Sequence, residues 1–548
     1  MHCSLLPPND SATELRSSNL SKGHVCPPSP ITRHSNGYRI ALIEPIEGAR
    51  MSTLTYHTAL ERVRGFAGYL QQLHIEKGDC LLIWSPSRSD WLIAYLGALL
   101  IGAVIVPLDV NSKEDFLLRV AELTDTKLLI TTQKQFAGLL QTSLPLVDLD
   151  ALPQAAMDAA KLPEVHENDL AEVVFTSGTT GQPKGVILSH RNIASNATAA
   201  ATFINITAED RALSILPLSH MFELTVEIAL IYCGASIVYA RSLVPDTLLR
   251  LLSSQQITCS VLVPQALQLF LNGIEREVRR QKREKQFEQL LRIAAMLPFG
   301  WRRFLFGAVH KRFGGHFRFF VSGGAYLPPT LAQSWENMGF RVMQGYGTTE
   351  CSPIVSATPY HDHTLDSVGK PLKGVEVRIA EDGEILAHGP NVSLGYWKNP
   401  EATAASFKDG WYYTGDLGFF DEKNNLYLKG RKKNLIVLAN GLNVYPEDIE
   451  NILHANPLVK DAVVFGLMHQ GQGPEVHAVL LLEDPSKAKT VIQQANKQLA
   501  PHQQIRGFTI WPEEDFPRTH TLKVKRLDVL SKLEKLHKDK SDRPEKEK

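Results

Sequence analysis

Ten consecutive residues, Thr176-Ser177-Gly178-Thr179-Thr180-Gly181-Gln182-Pro183-Lys184-Gly185, combine features that suit an anion. Glycines permit positive φ and close approach of the backbone to a guest. Successive N–H groups in such a loop form an anion-binding concavity. The Ser and Thr hydroxyls add donors, and Lys184 adds a mobile positive charge. Triphosphate fits this set. The segment is not the pattern GxxxxGK[ST], because Gly185 follows Lys184 and the glycine spacing differs. The same composition also suits a flexible Gly/Thr surface turn, so the loop by itself leaves the choice open.

Five further stretches carry chemistry-bearing side chains. In Gln344-Gly345-Tyr346-Gly347-Thr348-Thr349-Glu350, Tyr346 offers a face for a purine. Thr349 is a donor for phosphate, and Glu350 is a hard oxygen ligand of the kind Mg²⁺ takes. A surface turn with an exposed carboxylate is the plainer alternative. Gly410-Trp411-Tyr412-Tyr413-Thr414-Gly415-Asp416 ends in an acid beside a glycine. A carboxylate accepting two hydroxyl hydrogen bonds makes a ribose clamp, although a bare Thr-Gly-Asp is common in turns. Ser322-Gly323-Gly324-Ala325 lets backbone approach a flat ring, or is a simple turn from strand to helix. Arg431 supplies a planar donor fork within Gly430-Arg431-Lys432-Lys433-Asn434, a cluster that also reads as a solvated basic face. The single His220 of Pro217-Leu218-Ser219-His220-Met221-Phe222-Glu223 is equally compatible with a packing role.

Taken in order, these motifs resemble the adenylate-forming superfamily of acyl- and aryl-CoA synthetases, adenylation domains and luciferases. The likeness runs from about Gly37 to Arg526. It implies that Thr176, Ser177, Gly178, Thr179, Thr180, Gly181 and Lys184 grip the phosphates of ATP. It sets Gly323, Gly324 and Ala325 against adenine, with Tyr346, Gly347, Thr348 and Thr349 completing the nucleotide site. Asp416 holds both ribose hydroxyls and Arg431 assists at ribose or phosphate, while Glu350 binds Mg²⁺. His220, Phe222 and Gly345 border the pocket for the acid; Lys433 is the hinge, and Gly441 lets the pantetheine arm of coenzyme A pass. Lys523 is the catalytic lysine, with Lys525 as its rival, and Lys523, Glu350, Thr349 and Lys184 make up the catalytic set. Three positions depart from the pattern: Asn434 stands where many members carry Asp, Leu442 replaces a polar residue, and Leu522 replaces Gly.

The chemistry implied has two halves. A carboxylate attacks the α-phosphorus of ATP and pyrophosphate leaves, a step that rests on positioning and charge neutralisation. A thiol then takes the acyl group from the mixed anhydride, after a domain swing about Lys433. Ser219–Glu223 and Phe516–Arg526 are most similar to long-chain fatty acyl-CoA synthetases. The apolar run Leu224, Val226, Ile228, Ala229, Leu230 and Ile231 suits a fatty chain or a core. The partners implied are a small carboxylic acid, ATP and CoA. Two rivals stand beside this: an acyl-AMP ligase that loads a carrier protein, and a catalytically silent nucleotide- or acyl-binding sensor. The joint presence of Lys184, Glu350, Asp416, Arg431 and Lys523 argues against the second.

Something must hold these residues, and 548 residues predict two or more domains. Short apolar strands (Cys80–Trp84, Leu128–Thr131, Ala171–Phe175, Cys259–Val263) alternate with helical segments such as Thr58–His74. This predicts an α/β fold: a large N-terminal domain over 37–430 of stacked, mostly parallel sheets with helices, including a small β-barrel-like subdomain from about 367. A small mobile α+β C-terminal lid follows over 431–530, flanked by a flexible segment 1–36 and a charged tail 531–548. Within the β-rich part, Val368–Pro371, Val375–Ile379 and Gly383–Leu386 read as strands.

Composition narrows the class. The 58 Lys and Arg balance 58 Asp and Glu, so no global field argues for nucleic acid. The six cysteines are scattered without metal-ligand spacing, which reads as reduced thiols in a cytoplasm. Trp91–Val110 is apolar, but Gly97, Gly102 and Pro107 make it a buried helix turning into a buried strand rather than a membrane span. Arg276–Lys285 and Arg302–Arg312 interleave basic and apolar residues, either as a helix pair at a membrane surface or as solvated amphipathic helices.

Overall fold

The computed structural model describes residues 39–45, 50–139, 144–176, 183–242, 244–361, 364–469, 473–518 and 524–541. Two compact units emerge, one of Met1–Val377 with Ala387–Tyr412 and one of Arg378–Leu386 with Tyr413–Lys548.

The first unit holds two large sheets. One has nine strands, with Arg341–Gly347, Phe319–Ser322, Cys259–Leu262, Arg211–Ser214, Ser236–Tyr239 and Ile40–Pro45 side by side in that order. These six run parallel, and antiparallel strands close both margins. The other sheet has six strands, parallel except for the final pair of Leu170–Thr176 with Lys184–Ser189. Its strands are continuous apolar runs, such as Cys80–Trp84, buried along their whole length. That is what a parallel strand covered on both faces requires.

Four helices share one core with both sheets: Tyr56–Gln72, Ser89–Leu100, His190–Phe203 and Met221–Cys233. Leu81, Ile105 and Val174 of one sheet and Leu42, Val261 and Val321 of the other belong to it. Local chemistry sets the helix ends. Thr55 and Ser189 each close a capping box, and Gly234 ends the Met221–Cys233 helix in the left-handed conformation. Trp91–Val110 resolves into the Ser89–Leu100 helix and the Val104–Leu108 strand, both buried. A second core lies under the nine-stranded sheet. There Trp335 meets Phe313, Phe320 and Phe340 edge-on, with ring centroids 5.8, 5.0 and 5.4 Å away.

The second unit is built on a three-stranded sheet: Val459–His469 antiparallel to Gly473–Leu482, which is parallel to Gly507–Ile510. The helices Pro446–His454 and Ala488–Asn496 pack on one face. Trp511, Phe516, Val529 and Leu533 pack on the other, the last two from the helix Arg526–Ser541.

Two readings of the sequence shift. The strand expected at Val368–Pro371 is Lys370–Pro371, and it edges the nine-stranded sheet through Ile354–Ala357 rather than joining the β-rich subdomain. The basic stretch Arg276–Lys285 is not one helix. The Pro264–Arg280 helix ends, and Lys282 at φ 56° turns the chain into the Glu284–Ala295 helix. Arg302–Arg312 likewise straddles the helices Phe299–Leu305 and Gly307–Arg312.

Candidate functional site

The expected phosphate loop joins two antiparallel strands, with Thr176 paired to Lys184 across the neck. Ser177, Gly178, Thr179, Thr180, Gly181 and Gln182 lie outside the described residues. Lys184 leaves the second strand with its ammonium 5.0 Å over the Tyr396 ring. The hydroxyl of Tyr396 donates to Glu350 Oε1 at 2.8 Å. This aromatic therefore links the lysine at the loop exit to the carboxylate expected to hold Mg²⁺. Backbone bonds fix the three segments: Trp397 N–H donates to the Gly185 carbonyl at 2.7 Å, and Ser393 N–H donates to the Glu350 carbonyl at 2.7 Å. Burial, reinforced by the Glu350 charge, pushes the Tyr396 phenol well above its usual range, so it stays a donor at neutral pH. Tyr412 is also buried and feels Glu350, after burial itself, as the next cause that raises its phenol.

Tyr396 is a contact that the sequence reading missed. The signal available was Gly395-Tyr396-Trp397, a tyrosine held between a glycine and a second aromatic.

The other expected site residues of this unit gather at the carboxyl ends of the parallel strands, where α/β sheets bind ligands. Ser322 and Gln344 are register partners on adjacent strands, so Gly323, just past the end of its strand, lies next to Gly345, which continues its own strand and pairs with Ala357. Gly323 is buried and faces the Phe222 ring; a Cβ there would lie 2.8 Å from the ring's Cζ. The motif at 217–223 is thus brought against the motif at 322–325. Gly324 and Ala325 are exposed, and Gly345 is half-buried, with the Ser356 carbonyl 3.9 Å from where a Cβ would stand. Tyr346 is buried, and Gly347 approaches so closely that a Cβ would overlap the Pro353 carbonyl. Thr348, Thr349 and Glu350 are half-buried, and Cys351 beside them is a fully buried thiol.

His220 follows the strand Arg211–Ser214 and opens the Met221–Cys233 helix. Its Nε2 lies 3.7 Å from Asp109 Oδ2. Ser87 holds the approach, accepting from Leu218 N–H at 2.8 Å and donating to the Leu216 carbonyl at 3.2 Å. Asp109 is a second missed neighbour; its signal was an acid just beyond the buried strand Val104–Leu108. Beneath the site, burial raises both Glu223 and Glu227, the latter to about 8 with Tyr239 donating to it at 2.8 Å. Leu224, Val226, Ile228, Ala229 and Leu230 are packed core, so their apolar character carries no argument for a fatty chain.

In the second unit Asp416 and Arg431 are register partners on neighbouring strands. Asp416 is 5% exposed, and its Oδ1 lies 2.6 Å from Arg431 Nε. Thr414 Oγ1 accepts from Asp416 N–H at 3.1 Å, and Glu384 accepts from Gly415 N–H at 2.9 Å. The bend carrying Asp416 is therefore held by its own hydrogen bonds. Lys433 lies beside this pair; burial, then Arg431, lowers its ammonium pKa against the pull of Asp416. Asn434 donates to Glu447 at 3.0 Å, a structural contact that accounts for an amide there. Gly441 sits at φ 80° in a turn, a conformation that favours glycine, with no atom within 4 Å of where a Cβ would stand. An open cleft of about 460 Å³ adjoins it, lined by Leu438, Asn440, Leu442, Val476, His502 and Arg506.

Lys523 lies outside the described residues, as do 519–522. The base of that segment is described. Arg518 and Val524 form an antiparallel bridge, and Lys525 N–H donates to the Pro517 carbonyl at 2.7 Å. Arg518 is fastened to Asp461 at 2.7 Å and to Asp515 at 2.6 Å. The rival Lys525 is exposed.

Among the described residues no group of three or more His, Cys, Asp or Glu is placed to hold a metal ion. A single carboxylate is nevertheless what Mg²⁺ needs when phosphate oxygens and water complete its shell, so Glu350 fits that ion.

A family model described as AMP-binding enzyme matches residues 33–397, and one described as AMP-binding enzyme C-terminal domain matches 433–537. The chain is 29% identical to a long-chain-fatty-acid–CoA ligase of Mycobacterium bovis, over 88% of this chain and 91% of that one. It is 30% identical to a 2-succinylbenzoate–CoA ligase of Bacillus velezensis, over 90% and 96%. Among solved structures, the o-succinylbenzoate CoA synthetase of Bacillus subtilis with its acyl-adenylate intermediate superposes with a TM-score of 0.74 at 26% identity, covering 90% of this chain and 95% of that one. The same enzyme with ATP and a magnesium ion gives a TM-score of 0.72 at 26% identity, covering 90% and 96%.

Proposed function

Because the chain belongs to the family of AMP-binding enzymes, we propose that it activates a medium- or long-chain fatty acid as acyl-AMP and passes the acyl group to coenzyme A. ATP-dependent ligation of an acid to CoA, with Mg²⁺, is the activity of the family; the identity of the acid and the role of each residue are the proposal. The observation that carries adenylation is the link from Lys184 through Tyr396 to Glu350. It sets a cation and a hard anion against one tyrosine. The relationship to a long-chain-fatty-acid–CoA ligase supports a fatty acid.

In this reading the loop residues Thr176 to Gly181 and Lys184 hold the β- and γ-phosphates. Gly323, Gly324, Ala325 and Tyr346 to Thr348 bound the adenine, and Asp416 with Arg431 takes the ribose. Bound Mg²⁺ on Glu350 neutralises phosphate charge. The carboxylate oxygen bonds to the α-phosphorus as the bond to pyrophosphate breaks, and Thr349 and Lys523 stabilise the charge on the α-phosphate oxygens. His220, Phe222 and Gly345 orient the acid. In the second half-reaction the CoA thiolate bonds to the acyl carbon and AMP departs. Gly441 and its adjoining cleft serve the CoA side, and Lys433 serves the change between the two halves. The thiols of Cys80, Cys233, Cys259 and Cys351, none of them in a disulfide, suit a reducing cytoplasm.

The relationship to 2-succinylbenzoate–CoA ligases favours a second reading, an aromatic dicarboxylic acid. A panel of acetate, benzoate, 2-succinylbenzoate, octanoate and palmitate, each with and without CoA, separates the two by thioester product. Octanoyl- or palmitoyl-CoA as the dominant product is expected. Turnover confined to 2-succinylbenzoate overturns the fatty-acid reading, and pyrophosphate release without any thioester points to a carrier-protein acceptor.

A further inference from the structure

Charge is distributed unevenly along this chain. Residues 275–312 carry eleven Lys and Arg against four Glu, whereas the whole chain balances 58 against 58. The segment forms the end of the Pro264–Arg280 helix and the three helices Glu284–Ala295, Phe299–Leu305 and Gly307–Arg312. One side is fastened to the core through Leu267, Leu271, Ala294 and Phe306. The other side leaves Met296, Trp301 and Phe304 in solvent, at 79%, 65% and 83% exposure.

A single exposed apolar residue is ordinary. Three large ones within nine residues, among cations, are not what a merely solvated face contains. Trp301 and Phe304 stand three positions apart and share one face of their helix. Met296 ends the preceding helix. The turn between them is held firmly. Arg302 donates to the Leu297 carbonyl at 2.9 Å and to the Ala295 carbonyl at 3.3 Å, and Arg303 donates to the Phe317 carbonyl at 2.8 Å. These two arginines are spent on structure. Arg279, Lys282, Arg283, Lys285, Lys311 and Arg312 are exposed.

Exposed aromatic and Met side chains in one segment with exposed long basic ones match the boundary of a lipid bilayer. Apolar tips enter the headgroup layer while ammonium and guanidinium groups meet phosphates. Among the described residues no helix is long and apolar enough to cross a membrane, so a contact there is with the surface. We propose that the 275–312 face docks on an anionic phospholipid bilayer, with Met296, Trp301 and Phe304 entering the headgroup region and the exposed Lys and Arg facing lipid phosphates. The proposal goes beyond the catalytic reading and does not depend on it.

The test is sedimentation of the full chain with vesicles of phosphatidylcholine alone, or with about one-third phosphatidylglycerol, at about 0.1 M and about 1 M salt. Three variants accompany it: Trp301→Ser/Phe304→Ser, Lys282→Glu/Lys285→Glu/Lys311→Glu, and Lys423→Glu/Lys489→Glu/Lys497→Glu as an exposed control elsewhere. Circular dichroism melting checks that each is folded. The wild type is expected to pellet with anionic vesicles at low salt only. Each of the first two variants should lower the partition coefficient at least about tenfold, and the control should match the wild type. Brominated lipids should quench wild-type tryptophan fluorescence, a readout that needs no variant. Wild type left in solution with anionic vesicles, no quenching, or equal loss in the control overturns the proposal. So does a dimer in light scattering that Trp301→Ser/Phe304→Ser dissolves, since the face then belongs to a second copy.

Discussion

Lys184 and Glu350 are 166 positions apart in the chain, and one tyrosine lies against both. The Tyr396 phenol donates to the carboxylate while its ring underlies the ammonium. A donor held on Glu350 Oε1 orients the carboxylate toward the side where phosphate oxygens and Mg²⁺ are proposed to sit. Tyr396→Phe keeps the ring and removes the hydroxyl. It should lower adenylation about tenfold, the scale of one hydrogen bond to a charged group, and raise the Mg²⁺ concentration needed for half-maximal pyrophosphate release. An unchanged Mg²⁺ dependence contradicts the orienting role. Lys523→Ala should lower adenylation by ~10²-fold or more while thioester formation from supplied acyl-adenylate largely survives. Equal loss in both half-reactions contradicts the assignment. At this scale the motif residues were legible because glycines, hydroxyls and charges cluster in short runs. Tyr396 and Asp109 were not, because each acts through a partner more than a hundred positions away, Asp109 near His220 and Tyr396 against Lys184.

Elements turn those runs into a surface. The parallel strands ending at Ser214 and Ser322 lead to His220 and Gly323 at the carboxyl end of one sheet, where the last residues of Arg341–Gly347 hold Gly345. Two glycines there predict different outcomes. In Gly323→Ala the new methyl meets the far end of the Phe222 ring, which can shift. Melting should hardly change, while the KM for ATP or for the acid rises about tenfold from the displaced ring. In Gly347→Ala the methyl meets the backbone carbonyl of Pro353, which cannot shift alone. A loss of about 3 kcal/mol in stability is expected, read by urea unfolding. Equal melting points for the two variants contradict this account. Strands such as Cys80–Trp84 were legible because burial on both faces demands unbroken apolar runs. The division at Lys282 was not legible, because a polar turn between two basic amphipathic helices leaves no Gly or Pro to mark it. Val368–Pro371 was read as a strand, but the sheet it joins depends on pairing with Ile354–Ala357, which a local pattern does not encode.

The whole molecule carries a pH dependence through its buried carboxyls. Glu172 is fully buried in the six-stranded sheet, with the Tyr95 hydroxyl donating to it at 3.1 Å. Burial pushes its pKa from 4.5 up to about 8, and the Tyr95 bond offsets only part of this. The folded state thus keeps a proton that the unfolded chain releases near pH 4.5. Its stabilising contribution is fully present below pH 4.5 and is lost as pH rises through about 8. Glu172→Gln cannot ionise. Relative to wild type, the variant should gain stability as pH rises from about 5 to about 8.5, by several kcal/mol at most, roughly 1.4 per pH step. Urea unfolding of both proteins across that range checks it, and parallel curves contradict it. The α/β class and the smaller second unit were visible in strand and helix alternation. That Arg378–Leu386 and 413–430 group with the second unit was not, because that grouping depends on strand pairing a local pattern does not encode.

The central claim is that an acid attacks the α-phosphate of ATP on this chain. Acid-dependent exchange of labelled pyrophosphate into ATP, measured without CoA, tests it most directly. The account predicts exchange that requires both Mg²⁺ and an acid, is strongest with octanoate or palmitate, and falls by ~10²-fold in Lys523→Ala. Exchange that is absent with every acid, or that proceeds equally well with no acid present, contradicts it.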